Sequence, residues 1–255
     1  FNYRFDEGSF KGHAFGNLFL TALEKMTGGF AEAVELAGDV LKIDGRVEPI
    51  TLSNVQLCAE GADGEPIKGE FTIAHAEIAR HPNIWLEPEA EANPAAIQAI
   101  LDADMVVIAP GNLYGSLAPA LVIDGVQHAL RETRATCVFV CNLVSKPGPT
   151  DGFGVIDFAS EIERLAGSEF LDYVVFNTDE PSEELMKKYA HDGELVVGYD
   201  IAELKKQHYQ YRGVPVLAKE VWRGDQSSDP IAAARSFIRH DPDAVARQLM
   251  RIYFA

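Results

Sequence analysis

The chain has 255 residues, 47% of them hydrophobic and 24% charged, a composition that suits a soluble α/β domain able to bury a sizeable core. With 22 Lys and Arg against 39 Asp and Glu, the formal net charge of −17 argues against nucleic acid and anionic membrane as partners. No apolar run reaches the roughly 18 residues that a bilayer span requires, so no membrane insertion is expected.

No signal-peptide pattern opens the chain, and Phe1 is not an initiator methionine, so the sequence reads as a fragment. The first predicted element is a helix over 18–26, with apolar residues at Leu18, Phe19, Ala22, Leu23 and Met26. Just ahead of it, Gly12-His13-Ala14-Phe15-Gly16-Asn17 sets a histidine between two glycines at a helix start, with Asn17 placed as the N-cap. Two accounts of His13 stay open: a satisfied loop histidine, or a donor or acid–base group in a ligand cleft.

Residues 38–90 change character. Short strand-like runs at 40–43, 46–51, 55–59, 67–73 and 84–86, with Asp-Gly pairs at 44–45 and 63–64, predict a small antiparallel β insertion. From Asn93 onward helix and strand alternate: helix 94–103, strand 105–108, helix 119–131, strand 137–141, helix 155–166, strand 173–176, helix 181–190 and a strand near 195–198. Such alternation predicts a Rossmann-like, mainly parallel sheet with helices on both faces, in one α/β domain over 1–255 that carries the 38–90 insertion. An amphipathic helix over 244–252 follows Asp241-Pro242, a helix-start signal.

The three cysteines, Cys58, Cys137 and Cys141, sit in apolar contexts without zinc-type spacing, and no metal ligand set is visible. They read as buried thiols in a reducing cytoplasm.

In an open parallel sheet, ligands sit beyond the carboxyl ends of the strands. The loop after strand 105–108 runs Ala109-Pro110-Gly111-Asn112-Leu113-Tyr114-Gly115-Ser116 straight into a helical pattern. Its glycines allow close backbone approach, and N–H groups at the start of the following helix favour an anion. Asn112, Tyr114 and Ser116 add side-chain donors. The loop after strand 137–141 offers Asn142 and the cation Lys146, and strand 173–176 ends at Asn177-Thr178-Asp179. Each of these residues also has a plain structural account as a turn or solvated loop residue.

The ordered motifs Tyr3-Arg4-Phe5, Gly12-His13-x-x-Gly16-Asn17, Thr27-Gly28-x-Phe30, Gly45-x-Val47-x-Pro49 and Asp63-Gly64 resemble the CofD/YvcK-like family. Ala103-Asp104-x-Val106-Val107-Ile108-x-Pro110-Gly111-x-Leu113-Tyr114, Val140-Cys141-Asn142, Pro147-Gly148 and Arg239-His240-Asp241 extend the match over nearly the whole chain. The Pro-Gly-x-Leu-Tyr and Val-Cys-Asn segments are similar to the gluconeogenesis-factor branch rather than the 2-phospho-L-lactate transferase branch. The resemblance implies a nucleotide or nucleotide-sugar ligand, of the UDP-N-acetylglucosamine kind in the first branch, with a regulatory role in carbon metabolism and cell-wall or cell-shape control. For the transferase branch it implies transfer of a phospholactyl group to a deazaflavin precursor with magnesium.

It also implies an opening strand with a Gly-Gly-Gly-Thr-Gly-type loop and an Asp-Asp-Gly-Gly-type turn, which this sequence does not contain. Asn112 and Gly115 stand where Ser and Thr are usual, and Lys146-Pro147-Gly148-Pro149-Thr150 where Gln-Pro-Gly-Glu-Thr is usual.

The expected ligand-binding set is therefore Gly12, His13, Gly16, Asn17, Pro110, Gly111, Asn112, Leu113, Tyr114, Ser116, Asn142 and Lys146. No catalytic residue is singled out. Asp151 and Asp179 are the acids at ligand-facing strand ends, thin support for magnesium chemistry, so the regulatory account is favoured over the transferase. Whether the chain is an enzyme, its protein partner and its homo-oligomerisation stay open.

Overall fold

Two helices dominate residues 1–52, the first of two units into which the chain divides; the second comprises 53–218 and 238–255. The structure is a computed structural model that describes residues 1, 3–191, 193–218 and 238–255.

In the first unit α1 (Phe15–Thr27) and α2 (Phe30–Leu41) pack around Leu23, Ala33 and Ala37, with Phe19 and Leu20 against them. Gly28, at φ 88°, closes α1 in the left-handed region that a glycine adopts without strain, its N–H bonded to the Glu24 carbonyl at 2.9 Å. Two expectations are corrected here. The run 40–43 includes the last turn of α2, and 46–51 forms no strand. The buried face of α2 is built from alanines, so its helical period is faint, while Val40 and Ile43 imitate a strand. The helix α1 also starts earlier than predicted: Ala14 is its N-cap and Asn17 lies inside it.

The second unit opens with the antiparallel sheet expected from the 38–90 stretch. The strand β1 (Gln56–Glu60) lies between β2 (Pro66–Lys68) and β3 (Ile84–Glu87), with Cys58 opposite both Lys68 and Trp85. Gly64, at φ 84°, turns the chain between β1 and β2. The predicted strand over 67–73 stops at Lys68, because Gly69 at φ 92° redirects the backbone into α3 (Glu70–His75).

Helix α4 (Pro94–Leu101) is capped by the Asn93 side chain, which accepts from the Ala95 N–H at 3.1 Å, and leads to β4 (Met105–Ile108). A π-turn over Leu113–Leu117 follows, then α5 (Ala118–Leu121) and α6 (Asp124–Glu132). The single helix predicted over 119–131 is thus two, parted at Val122-Ile123, where Ile123 takes extended backbone as the N-cap of α6. Beyond it come β5 (Thr136–Val140), β6 (Val144–Ser145), α7 (Val155–Ala166), β7 (Tyr173–Asn177), α8 (Glu183–His191), β8 (Leu195–Val196), α9 (Ile201–Leu204), β9 (Gln210–Val214) and α10 (Pro242–Tyr253).

The main sheet is parallel, in the order β4-β5-β7-β9. The strand near 195–198 does not join it: β8 pairs antiparallel with β6, and β9 takes the fourth place. Polar Gln210 and Arg212 together with Gly213 obscured β9 in the sequence. Val138, Val140 and Val175 are buried on one face, where Ile252, Val245 and Leu249 of α10 pack. Strand alternation turns Cys137 and Phe139 to the opposite face. Each fully buried valine contributes about 1.5–3 kcal/mol. The three cysteines are buried and not disulfide-bonded, and no helix among the described residues is long and apolar enough to cross a membrane.

Candidate functional site

A parallel sheet brings the carboxyl ends of all its strands to one edge, and in the second unit that edge carries the loops after β4, β5, β7 and β9. The loop after β4 is shaped by Asn112. Its side-chain oxygen accepts from the Gly115 N–H at 3.0 Å, and its carbonyl accepts from Ser116 at 2.8 Å and Leu117 at 3.1 Å. These three amides are thus engaged within the loop. The N–H groups of residues 111–114 donate to no other described residue.

Both loop glycines have packing reasons. A Cβ at Gly111 would lie 3.2 Å from Leu117 Cδ2, and one at Gly115 would lie 3.3 Å from Asn112 Cγ. Pro110, Asn112 and Ser116 face outward, whereas Leu113 and Tyr114 are buried. The expectation that Tyr114 supplies a donor at the loop surface is corrected: its hydroxyl donates to Glu161 Oε1 at 2.9 Å in the interior.

Asn142 joins this loop to the end of β5. Its Nδ2 donates to the Gly111 carbonyl at 2.8 Å, while its Oδ1 is buried without a hydrogen-bond partner. On the neighbouring residue, the Cys141 carbonyl accepts from His240 Nε2 at 3.1 Å. A carbonyl can only accept, so this nitrogen carries the proton. Burial lowers the His240 pKa below its ordinary value, against the opposing pull of that bond. His240 reaches the edge because residues 239–241 run beside 216–218: Ala218 donates to the Arg239 carbonyl and Asp241 to the Val216 carbonyl, both at 2.8 Å. Asp241 then caps α10 through the Ala244 N–H at 3.0 Å, the structural role its position suggested. At the end of β7, Asn177 Oδ1 accepts from Asp179 and Val216 N–H groups at 3.1 and 3.2 Å.

Lys146 lies beyond β6, in a turn closed by Thr150, whose Oγ1 accepts from the Lys146 N–H at 2.9 Å. Its ammonium is exposed and has no ion-pair partner among the described residues.

Gly12, His13, Gly16 and Asn17 all belong to the first unit. The Arg4 guanidinium donates to the Gly12 carbonyl at 3.0 Å, and His13 Nδ1 lies 3.2 Å from the Phe10 carbonyl. At the start of α1, two of the N–H groups that a helix leaves free are engaged. The Phe15 and Gly16 N–H groups donate to the Tyr3 and Phe1 carbonyls, at 2.7 and 3.1 Å. Gly16 is a glycine for the same contact, since a Cβ there would lie 2.8 Å from the Phe1 ring.

Sequence reasoning missed Glu161, on α7 and only 1% exposed. Besides Tyr114, it accepts from Arg164 at 2.6 and 2.8 Å and pairs with His81 Nδ1 at 2.8 Å. Burial pushes the carboxyl up, but the bonds from Arg164, His81 and Tyr114 outweigh burial and hold it below its ordinary value. Burial and the Glu161 charge push the Tyr114 phenol up. The signal available in sequence was a Glu on the apolar face that Phe158, Ile162 and Leu165 define, with Arg164 three residues on.

The edge thus holds N–H groups at 111–114 without a described partner, an exposed Lys146 ammonium and a buried, unpartnered oxygen on Asn142. Among the described residues, no group of three or more His, Cys, Asp or Glu is placed to hold a metal ion.

The family described as 2-phospho-L-lactate transferase CofD matches residues 1–217. The chain belongs to the CofD family. Within it, the gluconeogenesis factor of Bacillus subtilis (strain 168) is 31% identical over 252 residues, covering 98% of this chain and 75% of the relative. A relative from Aquifex aeolicus (strain VF5), provisionally given the same name, is 36% identical over 255 residues, covering 99% of this chain and 74% of its own length. The crystal structure of protein BH3568 from Bacillus halodurans, a member of the UPF0052 family, superposes with a TM-score of 0.85 at 27% identity. It covers 98% of this chain and 76% of that one.

Proposed function

We propose that this CofD-family chain is a regulatory protein of the gluconeogenesis-factor type that binds a nucleotide or nucleotide-sugar. The ligand sits at the carboxyl edge of the parallel sheet, with phosphate oxygens on the N–H groups of residues 111–114. The observation that carries this reading is the joined pair of loops at Gly111 and Asn142. It sets unpartnered donors beside an unpartnered acceptor at the edge where such sheets bind ligands. Pro110, Asn112 and Ser116 form the outward rim, and Lys146 supplies the cation. Leu113, Tyr114 and the glycines shape the loop from within. The gluconeogenesis-factor name of the relatives supports a role in carbon metabolism. Cell-wall and cell-shape control through a protein partner is the output that the resemblance to the gluconeogenesis-factor branch implies. Buried thiols without disulfides fit a reducing cytoplasm.

The family match supports a transferase as the second reading, which requires carboxylates converging on a metal. A thermal-shift series with UDP-N-acetylglucosamine, NAD and GDP-linked compounds, with and without magnesium, separates the two. A nucleotide-sugar at about 100 times its Kd stabilises the protein by about 2.7 kcal/mol under the regulatory reading, with no need of magnesium. Phospholactyl transfer to a deazaflavin acceptor would instead establish the transferase.

A further inference from the structure

We propose that Glu161 is a positioning residue for the candidate loop, holding the Leu113–Leu117 turn through the Tyr114 hydroxyl and coupling its shape to the segment at His81-Pro82. The proposal rests on the reading of that loop as the ligand site.

A π-turn is a rare conformation that lasts only where its surroundings brace it. Asn112 braces this one from outside, through the Gly115 amide, and Tyr114 braces it from inside. The inner brace ends on a carboxylate whose two oxygens are both doubly engaged. Oε1 takes the Tyr114 hydroxyl at 2.9 Å and Arg164 Nη2 at 2.6 Å, and Oε2 takes Arg164 Nε and His81 Nδ1, each at 2.8 Å. A buried carboxylate is a costly way to fill space, since well-packed apolar side chains often serve as well or better. What it provides here is fixed direction for three partners from three segments.

The third segment is held with equal firmness. Arg164 Nη2 also donates to the Pro82 carbonyl at 2.8 Å, and the His81 ring stacks on Phe153 at 5.4 Å between centroids, 25° from parallel. The Arg80 guanidinium lies 5.7 Å from the centroid of the same Phe153 ring. His81 sits at φ 54°, a left-handed conformation that a non-glycine residue keeps only when its neighbours impose it. A ligand that tightens the loop therefore acts on Tyr114, on Glu161 and so on a strained, half-exposed histidine, the kind of output that a sensor without turnover requires.

The test uses Tyr114→Phe, which keeps the ring in its buried place and removes only the brace, with Glu161→Gln as the second variant. Binding of UDP-N-acetylglucosamine by titration calorimetry is expected to weaken about tenfold in Tyr114→Phe, the scale of losing one hydrogen bond to a charged group. The double variant loses no more than the weaker single one, because both break one brace. Amide exchange in 113–117 accelerates, and the His81 imidazole signals shift. Equal affinity in wild type and Tyr114→Phe overturns the positioning role while leaving the ligand reading intact. If wild type binds no nucleotide, the ligand reading fails instead. Exchange rates and His81 signals in the unliganded proteins then decide the brace, and unchanged values overturn it.

Discussion

Asn142 Nδ2 donates to the Gly111 carbonyl at 2.8 Å, a bond across 31 residues that ties the end of β5 to the loop after β4. Asn142→Ala leaves that carbonyl without its partner in a half-buried place. A loss of about 1–3 kcal/mol in stability is expected, measured as a lower urea midpoint with unchanged slope. A midpoint equal to wild type would show the bond to be dispensable.

Gly16→Ala tests the account of the first unit by its sign. Alanine is the better helix former by about 0.8–1.0 kcal/mol, so an unobstructed helix would gain. Here the added Cβ would lie 2.8 Å from Phe1 Cδ1 and 3.1 Å from the Phe1 carbonyl oxygen. Net destabilisation of about 1–3 kcal/mol by overpacking is therefore expected in thermal unfolding. A more stable variant would mean that Phe1 does not hold its place.

His240 sets a pH dependence. Burial lowers its folded pKa below 6.5, so the unfolded chain binds this proton more readily than the folded one. Stability is then full above pH 6.5, falls as pH drops below it, and levels off under the folded value. Urea midpoints at about pH 7.5 and about pH 5.5 are expected to differ less in His240→Gln than in wild type. An equal difference in both would assign the acid sensitivity to other groups.

Lys146→Glu is expected to weaken nucleotide binding by about 1–3 kcal/mol, the scale of a charge-assisted contact reversed. The ammonium is exposed and unpaired among the described residues in a chain of net charge −17, so little else in the fold depends on it. Unchanged affinity would return Lys146 to an ordinary solvated loop residue.

The elements read best from sequence were those with strong local patterns. The apolar strands β4, β5 and β7 and the amphipathic α7 stand where periodicity put them. Two kinds of signal misled. Alanine-faced α2 carries little hydrophobic period, and β9, with Gln210, Arg212 and Gly213, looks like a loop until β7 is there to pair with it. The edge residues Gly111 and Asn142 were legible because turn chemistry is local. The buried role of Glu161 and the bond that the motif residue His240 makes were not, because each rests on a partner distant in the chain: 80 residues separate Glu161 from His81, and 99 separate His240 from Cys141. The inward turn of Tyr114 has the same origin, since its Glu161 partner lies 47 residues on.

The central claim is that the loop after β4 holds the nucleotide, and titration calorimetry of wild type and Gly111→Val with UDP-N-acetylglucosamine tests it most directly. A Cβ at Gly111 would already lie 3.2 Å from Leu117 Cδ2, so the branched side chain must displace the loop while leaving the sheet behind it in place. Saturable heat in wild type and none in a folded Gly111→Val protein, its fold confirmed by circular dichroism, is the predicted result. Wild-type affinity in the variant would contradict the claim and move the ligand away from this loop.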